Sequence, residues 1–163
     1  MKVNARLRYP VSCEHVFAML VDRSFQERVC EATKALRYEV RIEQDAGSAT
    51  ITTRRELPTD AVPEFARGFV GRTLDVVRVD RWEPPAADGS RDGTVTVEIK
   101  GAPIRLNGML ALRPDDAGSE EVIAGELKAS VPLLGGKLER AAEPALMSAI
   151  RKEEEVGLLH LGG

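Results

Sequence analysis

Apolar and polar side chains alternate with a period of two over much of this sequence, the pattern of strands with one buried face and one face in water. The alternation begins at the second residue and ends at Pro10. One face of this first strand is apolar and consists of Val3, Ala5, Leu7 and Tyr9. The opening segment is therefore predicted to be a half-buried strand.

Six further segments are predicted to be strands, and turn residues such as Gly, Pro and Asp separate most of them. The fourth strand is placed at 72–82. The positions expected on one face of each of the others are Leu36, Tyr38, Val40 and Ile42; Ala49, Ile51, Thr53, Arg55 and Leu57; Val95, Val97 and Ile99; Ile104, Leu106, Gly108, Leu110 and Leu112; Ile123, Gly125, Leu127, Ala129 and Val131. Because most connections are short, neighbouring strands are expected to pair antiparallel as a meander.

Three helices are predicted around these strands. Ser12 is suited to cap the first, and the S-x-x-E sequence from Ser24 to Glu27 has the form of a capping box at the start of the second. At 137–159, apolar residues recur at three- and four-residue steps, which predicts an amphipathic helix of roughly 35 Å. Pro144 lies inside it and is expected to kink it. A sheet with one polar face must be covered on the other, so this helix is expected to lie across the apolar face.

Length, charge and composition narrow the class of protein. The 163 residues suit one domain, 1–163, and the net charge of −3 argues against a nucleic-acid partner. No window resembles a signal peptide or an apolar membrane span, so we expect a cytoplasmic protein without integral membrane association. Cys13 and Cys30 are then expected to be reduced thiols.

The order of the predicted elements resembles the helix-grip fold of the START-like (SRPBCC) superfamily. The stretches TRRELPTD at 53–60, KGAPI at 100–104 and ASVPLLGGKLE at 129–139 look like those of a bacterial family within it that is known as a domain of unknown function. The resemblance implies an α+β fold in which a seven-stranded curved antiparallel sheet wraps around a long C-terminal helix, with two short helices between strands one and two. It also implies a cavity for a hydrophobic small molecule, such as a lipid, an isoprenoid or a polyketide-like compound.

Polar residues on the predicted inward face are candidates for contacting such a ligand. Thr53 and Arg55 share the register of Ile51. A buried Arg55 would need a partner, which is either a ligand carboxylate or phosphate or an internal salt bridge, unless the strand twists it into solvent. The other residues expected to contact the ligand are Phe65, Phe69, Asn107, Leu110, Leu127, Leu146 and Ile150. Small residues such as Gly108 and Gly125 indicate either close backbone packing or open space.

The segment 58–71 is too long for a tight turn and carries an apolar side. It is interpreted either as a lid over the cavity or as a short helix, capped by Asp60 over 61–67, that packs on the end of the domain or contacts a second copy. The acidic pair Glu120–Glu121 is expected in solvent, as is the run 153–155. Glu153 is an exception, because it lies close to the apolar stripe of the long helix and could either pair with an arginine or line the end of a pocket.

Motifs for catalysis, metal ions or cofactors do not emerge from the sequence, and no cofactor is expected. His15 and His160 are the only histidines, too few for a histidine-based metal site. Three functions stay open: binding or carriage of a hydrophobic molecule in a cavity of ~300 Å³ or more, a cyclase- or hydratase-type enzyme in which two titratable groups converge in the cavity, or a protein-interaction module. A homodimer is also left open.

Overall fold

The computed structural model describes residues 1–162 and contains the predicted elements in the predicted order. The strands are β1 (Lys2–Tyr9), β2 (Arg37–Asp45), β3 (Ser48–Pro58), β4 (Thr73–Trp82), β5 (Arg91–Ile99), β6 (Ile104–Asp115) and β7 (Gly118–Ala129). The α-helices are α1 (Cys13–Leu20), α2 (Arg23–Ala32) and α3 (Gly135–Gly162), and a short 3-10 helix occupies Glu64–Phe69. The predicted α+β class is confirmed.

The seven strands form one curved antiparallel sheet in the order β1-β7-β6-β5-β4-β3-β2. Sequential strands pair from β2 to β7, as a meander requires, and β1 then adds to β7, with Lys2 opposite Glu126 and Tyr9 opposite Ser119. Along β1 every second residue is buried, as the alternation predicts. The inward face of the sheet and the three α-helices enclose the core.

The helix α3 crosses the inward face and contacts β1, β7 and α2. It begins at Gly135, two residues before the predicted start, and it continues through Pro144 as one helix of 28 residues. Only four of its described residues are fully buried, namely Leu138, Ile150, Glu153 and Gly157. Most of the helix therefore rests on the sheet through half-buried side chains.

The helix starts confirm one predicted cap and correct two others. The hydroxyl of Ser12 accepts the backbone N–H of His15 at 3.3 Å, as expected. At α2 the cap is Asp22 and not Ser24: an Asp22 carboxylate oxygen accepts both the N–H and the hydroxyl of Ser24, each at 2.8 Å. A charged carboxylate is the stronger acceptor, so the helix starts earlier than a cap at Ser24 would allow. The 3-10 helix follows Pro63 without a side-chain cap, so the predicted role of Asp60 is wrong.

One predicted strand position is also wrong. Leu36 precedes β2 and is 60% exposed, although its backbone N–H donates to the carbonyl of Glu56 in β3. Cys13 and Cys30 are both buried, free thiols. None of the helices described within residues 1–162 is both long and apolar enough to span a membrane.

Candidate ligand-binding site

A row of polar side chains lies on the inward face of β3 and β4, beneath α3. Thr53, Arg55 and Asp80 are each at least nine-tenths buried, and Arg78 lies directly opposite Thr53 in the antiparallel register. The period of two that turns Ile51 inward turns Thr53 and Arg55 inward with it, as the sequence predicts. The same period along β4 places Arg78 and Asp80 on this face between the buried residues Val76 and Trp82.

Arg78 is fully engaged by two carboxylates. Its guanidinium donates to both oxygens of Asp80 at 2.9 Å and to Glu153 of α3 at 2.8 Å. Burial alone would lower the pKa of Arg78, but the charges of Asp80 and Glu153 outweigh it and raise this pKa well above its ordinary value. The predicted pairing of Glu153 with an arginine is confirmed, and it ties α3 to the sheet.

Arg55 is buried without such a partner. One terminal nitrogen donates to the hydroxyl of Thr33 at 3.1 Å, while its Nε–H has no hydrogen-bond partner within the described residues. Burial lowers the pKa of Arg55. Arg55 forms no salt bridge within residues 1–162 and is only 8% exposed, so the structure shows neither the internal salt bridge nor the exposure to solvent that the sequence left open.

A small cavity lies beside Arg55 between α2, the sheet and α3. Its volume is about 20 Å³, and its walls are Gln26, Val29, Cys30, Thr53, Arg55, Arg78, Ala149 and Glu153. This space is the size of a water molecule or a single polar group. The expected cavity of ~300 Å³ is therefore not found at this position.

Large side chains account for the missing volume. Phe25 of α2 and Trp82 of β4 are almost completely buried in the same core cluster as Leu110. Gly108 and Gly125 lie opposite each other on the neighbouring strands β6 and β7. A β-carbon on Gly108 would lie 2.8 Å from the Cα of Gly125. These two glycines therefore allow close backbone packing between β6 and β7.

A second buried polar group lies on β7. Glu121 is 1% exposed and neither of its carboxyl oxygens has a hydrogen-bond partner within the described chain; the same holds for the Tyr9 hydroxyl and the Trp82 N–H. Burial first, and then the nearby charge of Glu153, raise the pKa of Glu121 well above its ordinary value. The prediction that both Glu120 and Glu121 lie in solvent is wrong for Glu121. Ile123 points inward, so the alternation along β7 would have predicted that Glu121, two residues earlier, points inward as well.

The predicted apolar contacts divide between two places. Leu110, Leu127 and Ile150 are buried and Leu146 is half-buried, all in the core between the sheet and α3. In the 3-10 helix, Phe69 packs instead near Leu138 and the start of α3, and Phe65 lies under the ammonium group of Lys137, 4.1 Å from its ring centre. The two phenylalanines therefore do not line the small cavity.

Asn107 is on the opposite face from the one predicted. Leu106 is 2% exposed and points inward, so the next residue along β6 must point outward, and Asn107 is exposed. It lines an open groove of about 370 Å³ on the outer face together with Glu98, Ala102, Pro103, Ile104, Arg105, Lys128 and Ser130. Asn107 cannot contact a ligand beneath α3.

Solved structures with the same architecture cover nearly the whole chain. The STAR-related lipid transfer protein of Xanthomonas axonopodis is 16% identical, with a TM-score of 0.62 over 99% of this chain and 86% of that one. TTHA0849 of Thermus thermophilus is 14% identical, with a TM-score of 0.61 over 98% and 99% of the two chains. The Zhui aromatase/cyclase of Streptomyces sp. R1128 is 11% identical, with a TM-score of 0.56 over 98% and 91%.

These likenesses establish the fold, which is the START-like helix-grip fold that the element order suggested. Among curated proteins, none matches the sequence significantly. A family profile, in contrast, aligns with all but the first three and last three residues. With the match extending over residues 4–160, the chain belongs to the family described as "Protein of unknown function (DUF2505)".

Proposed function

We propose that this protein binds or carries a hydrophobic small molecule, such as a lipid, an isoprenoid or a polyketide-like compound, between the sheet and α3. The observation that carries the proposal is the set of incompletely paired polar groups buried in the core between the sheet and the helices. Within the described chain, five buried side-chain atoms lack partners: Tyr9 Oη, Arg55 Nε, Trp82 Nε1, Glu121 Oε1 and Glu121 Oε2. Each unpaired buried group costs about 1–3 kcal/mol, so a core that only held the fold together would be more stable with apolar side chains in their place.

The helix α3 provides a way to make room for a ligand. A drug- or lipid-sized molecule needs roughly 300 Å³ or more, and the cavity beside Arg55 has about 20 Å³. The side of α3 that meets the core carries small or adaptable residues, among them Ala149, Met147 and Gly157. Because few of its large side chains are fully buried, α3 loses little apolar burial when it moves away from the sheet, provided that Glu153 stays paired with Arg78.

The solved structures of the same fold support the class of ligand. One is named a lipid transfer protein and another an aromatase/cyclase. Their low sequence identity means that their support rests on the shared fold. The lipid-transfer name is the reason that lipid-like molecules stand first among the candidate ligands.

Native mass spectrometry of the protein expressed in bacteria tests the proposal. We expect an adduct that organic solvent extracts, and we expect Ala149→Phe to reduce it because the ring fills the cavity wall. Ser148→Phe is the matched control, since Ser148 is the exposed neighbour on α3. A bare mass for all three proteins, together with no uptake of added fatty acids or isoprenoids, contradicts the proposal.

A cyclase- or hydratase-type enzyme is the second candidate, because titratable groups do converge under α3. Asp80, Glu121 and Glu153 lie close enough for their charges to act on one another. Such groups can serve as general acid or base only if a substrate reaches them. Deuterium uptake from heavy water at the α-carbon of an added polyketide-like ketone, lost in Glu121→Gln, favours the enzyme; ligand binding without uptake favours the carrier.

A further inference from the structure

We propose that the cavity beside Arg55 is a carboxylate seat, so that the ligand is an amphipathic organic acid and not a neutral lipid. This inference rests on the proposed binding function and adds the chemistry of the ligand's polar end. The buried guanidinium of Arg55 and the water-sized cavity in front of it carry the argument.

The charges under α3 leave Arg55 as the cation without a hydrogen-bonded counterion among the described residues. Arg78 engages both Asp80 and Glu153 through three hydrogen bonds of 2.8 to 2.9 Å. Glu121 makes no hydrogen bond to Arg55, because neither of its carboxyl oxygens has a partner among the described residues. Asp80 and Glu153 offset the charge of Arg55 without touching it, but the guanidinium is 8% exposed and donates only to the hydroxyl of Thr33, so its buried Nε–H has no acceptor in place of water.

The cavity has the chemistry of a head-group seat with an apolar exit. Thr53 and Arg55 present a hydroxyl and a guanidinium on the sheet side. On the helix side, Val29 and Ala149 present methyl groups beside the Glu153 carboxylate, which Arg78 binds. A carboxylate oxygen fits the volume and can accept the unpartnered Nε–H of Arg55. An apolar tail attached to it would extend between α2 and α3, where the movement of α3 makes room.

A structural role for Arg55 is the competing explanation. Thr33 follows the last residue of α2, and its hydroxyl also donates to the carbonyl of Cys30. Arg55 could therefore serve only to hold the end of α2 against β3. That role needs no anion and predicts no preference between charged and neutral ligands.

Dodecanoate and dodecanol form a matched pair of probes, since they share a chain length and differ in charge. Titration calorimetry at neutral pH is expected to show dodecanoate binding about tenfold or more tightly than dodecanol, because a hydrogen bond to a charged group is worth about that factor. Arg55→Gln should bind dodecanol as the wild type does and lose the preference for dodecanoate. Arg55→Lys should retain part of it.

Arg54→Gln is the control for the change of charge. Arg54 is the preceding residue in β3, but it points to the outer face and pairs there with Asp75. This variant should keep the full preference for dodecanoate. An unchanged preference in Arg55→Gln, or equal affinity of the wild type for both probes, overturns the carboxylate seat and leaves the binding of hydrophobic molecules intact.

Short anions separate failure of the seat from failure of the proposed function. If neither twelve-carbon probe binds, native mass spectrometry with the other ligand classes still tests the proposed function, and acetate and acetamide at equal ionic strength then decide the seat. Acetate should raise the Tm of the wild type and not that of Arg55→Gln, while acetamide should affect neither. An equal effect of acetate on both proteins, or none on either, overturns the seat.

Discussion

Arg78 is the residue on which the buried charges under α3 depend. It is the shared partner of Asp80 and Glu153, one on the sheet and one on the helix. Arg78→Met leaves two buried carboxylates without a cation, and removal of one member of a buried ion pair costs roughly 3–5 kcal/mol. We expect a loss of that order in the free energy of unfolding, measured with urea at neutral pH.

The adjacent strand provides a control for this prediction. Arg54 also pairs with an aspartate, Asp75, but the Arg54 side chain is 54% exposed on the outer face. Exposed pairs contribute about 0–1 kcal/mol, so Arg54→Met should change stability little. Equal losses in Arg54→Met and Arg78→Met would mean that burial of the Arg78 network has no energetic weight.

Glu121 makes the stability of the protein depend on pH. Its pKa in the folded protein lies well above the ordinary value of 4.5, because burial and then the charge of Glu153 disfavour ionisation. Between the ordinary and the raised pKa the folded protein keeps a proton that the unfolded chain releases, so stability falls as pH rises. Glu121→Gln has no such proton, and its advantage over the wild type should grow by up to about 1.4 kcal/mol per pH unit above 4.5.

Denaturant unfolding from pH 5 to 8 measures this difference, and Glu120→Gln is the matched control. Glu120 is the preceding residue, points to the outer face and pairs with Arg6 and Arg8. Its variant should follow the pH dependence of the wild type. A constant difference between Glu121→Gln and the wild type across the range would show that Glu121 is ionised in the folded protein.

At these positions the sequence predicts burial better than it predicts chemistry. Period two placed Thr53 and Arg55 inward correctly, because backbone geometry forces the alternation whatever the side chain. Glu121 departs from the expectation that an acidic pair is solvated, because the register of β7 turns it to the inward face. The polar side chain of Asn107 suggested a ligand contact, but its position in β6 does not allow one. Leu106 and Gly108 face inward, so Asn107 between them faces outward.

Whole elements were predicted well where their cause is local. The strands β2 to β7 follow from alternation and turns, and α3 follows from its apolar stripe. Their ends are less certain because capping residues compete: Asp22 and Ser24 both suit the start of α2, and only the folded geometry shows that Asp22 caps it. The lid role suggested for the 58–71 segment stays a prediction.

Gly157 sets how closely α3 can approach the sheet. A β-carbon there would lie 2.7 Å from a ring carbon of Tyr9, which is held in the core, and 3.2 Å from the flexible end of Met19. Gly157→Ala should therefore destabilise the protein by about 1–3 kcal/mol through overpacking, although alanine favours the helix by about 1 kcal/mol. Thermal and urea unfolding measure the change.

Gly162→Ala is the control for the intrinsic helix preference. A β-carbon at Gly162 meets no atom within 4 Å, so this variant should be neutral or slightly more stable. Stabilisation of similar size by both substitutions would mean that α3 is already free to move away from Tyr9.

At the scale of the whole molecule, both sheet edges carry side chains that engage their backbone. At β1 the N–H of Arg8 donates to the Glu154 carboxylate at 2.7 Å, and at β2 the Val40 carbonyl accepts from the Arg23 guanidinium at 2.5 Å. Each contact occupies a group that another strand would need. The homodimer left open by the sequence stays a prediction.

Cavity volume is the whole-molecule property that the sequence could not predict. It depends on the summed side chains of α1, α2, α3 and the sheet, which no single pattern contains. Phe25 and Trp82 reduce the cavity volume here, because both large side chains are buried in the core cluster. A hydrophobic ligand of the proposed kind could therefore enter the core only if α3 moved.

Hydrogen exchange with and without dodecanoate tests that movement. Since most of α3 is only half-buried, we expect its amides to exchange faster than those of β6 and β7, which lie inside the sheet. Dodecanoate bound beneath α3 should slow exchange in α3 and α2 and leave the outer groove around Asn107 unchanged. Protection confined to 104–107 and 128–130 would place the ligand in that groove instead, because those residues line its outer surface and not the space under the helix.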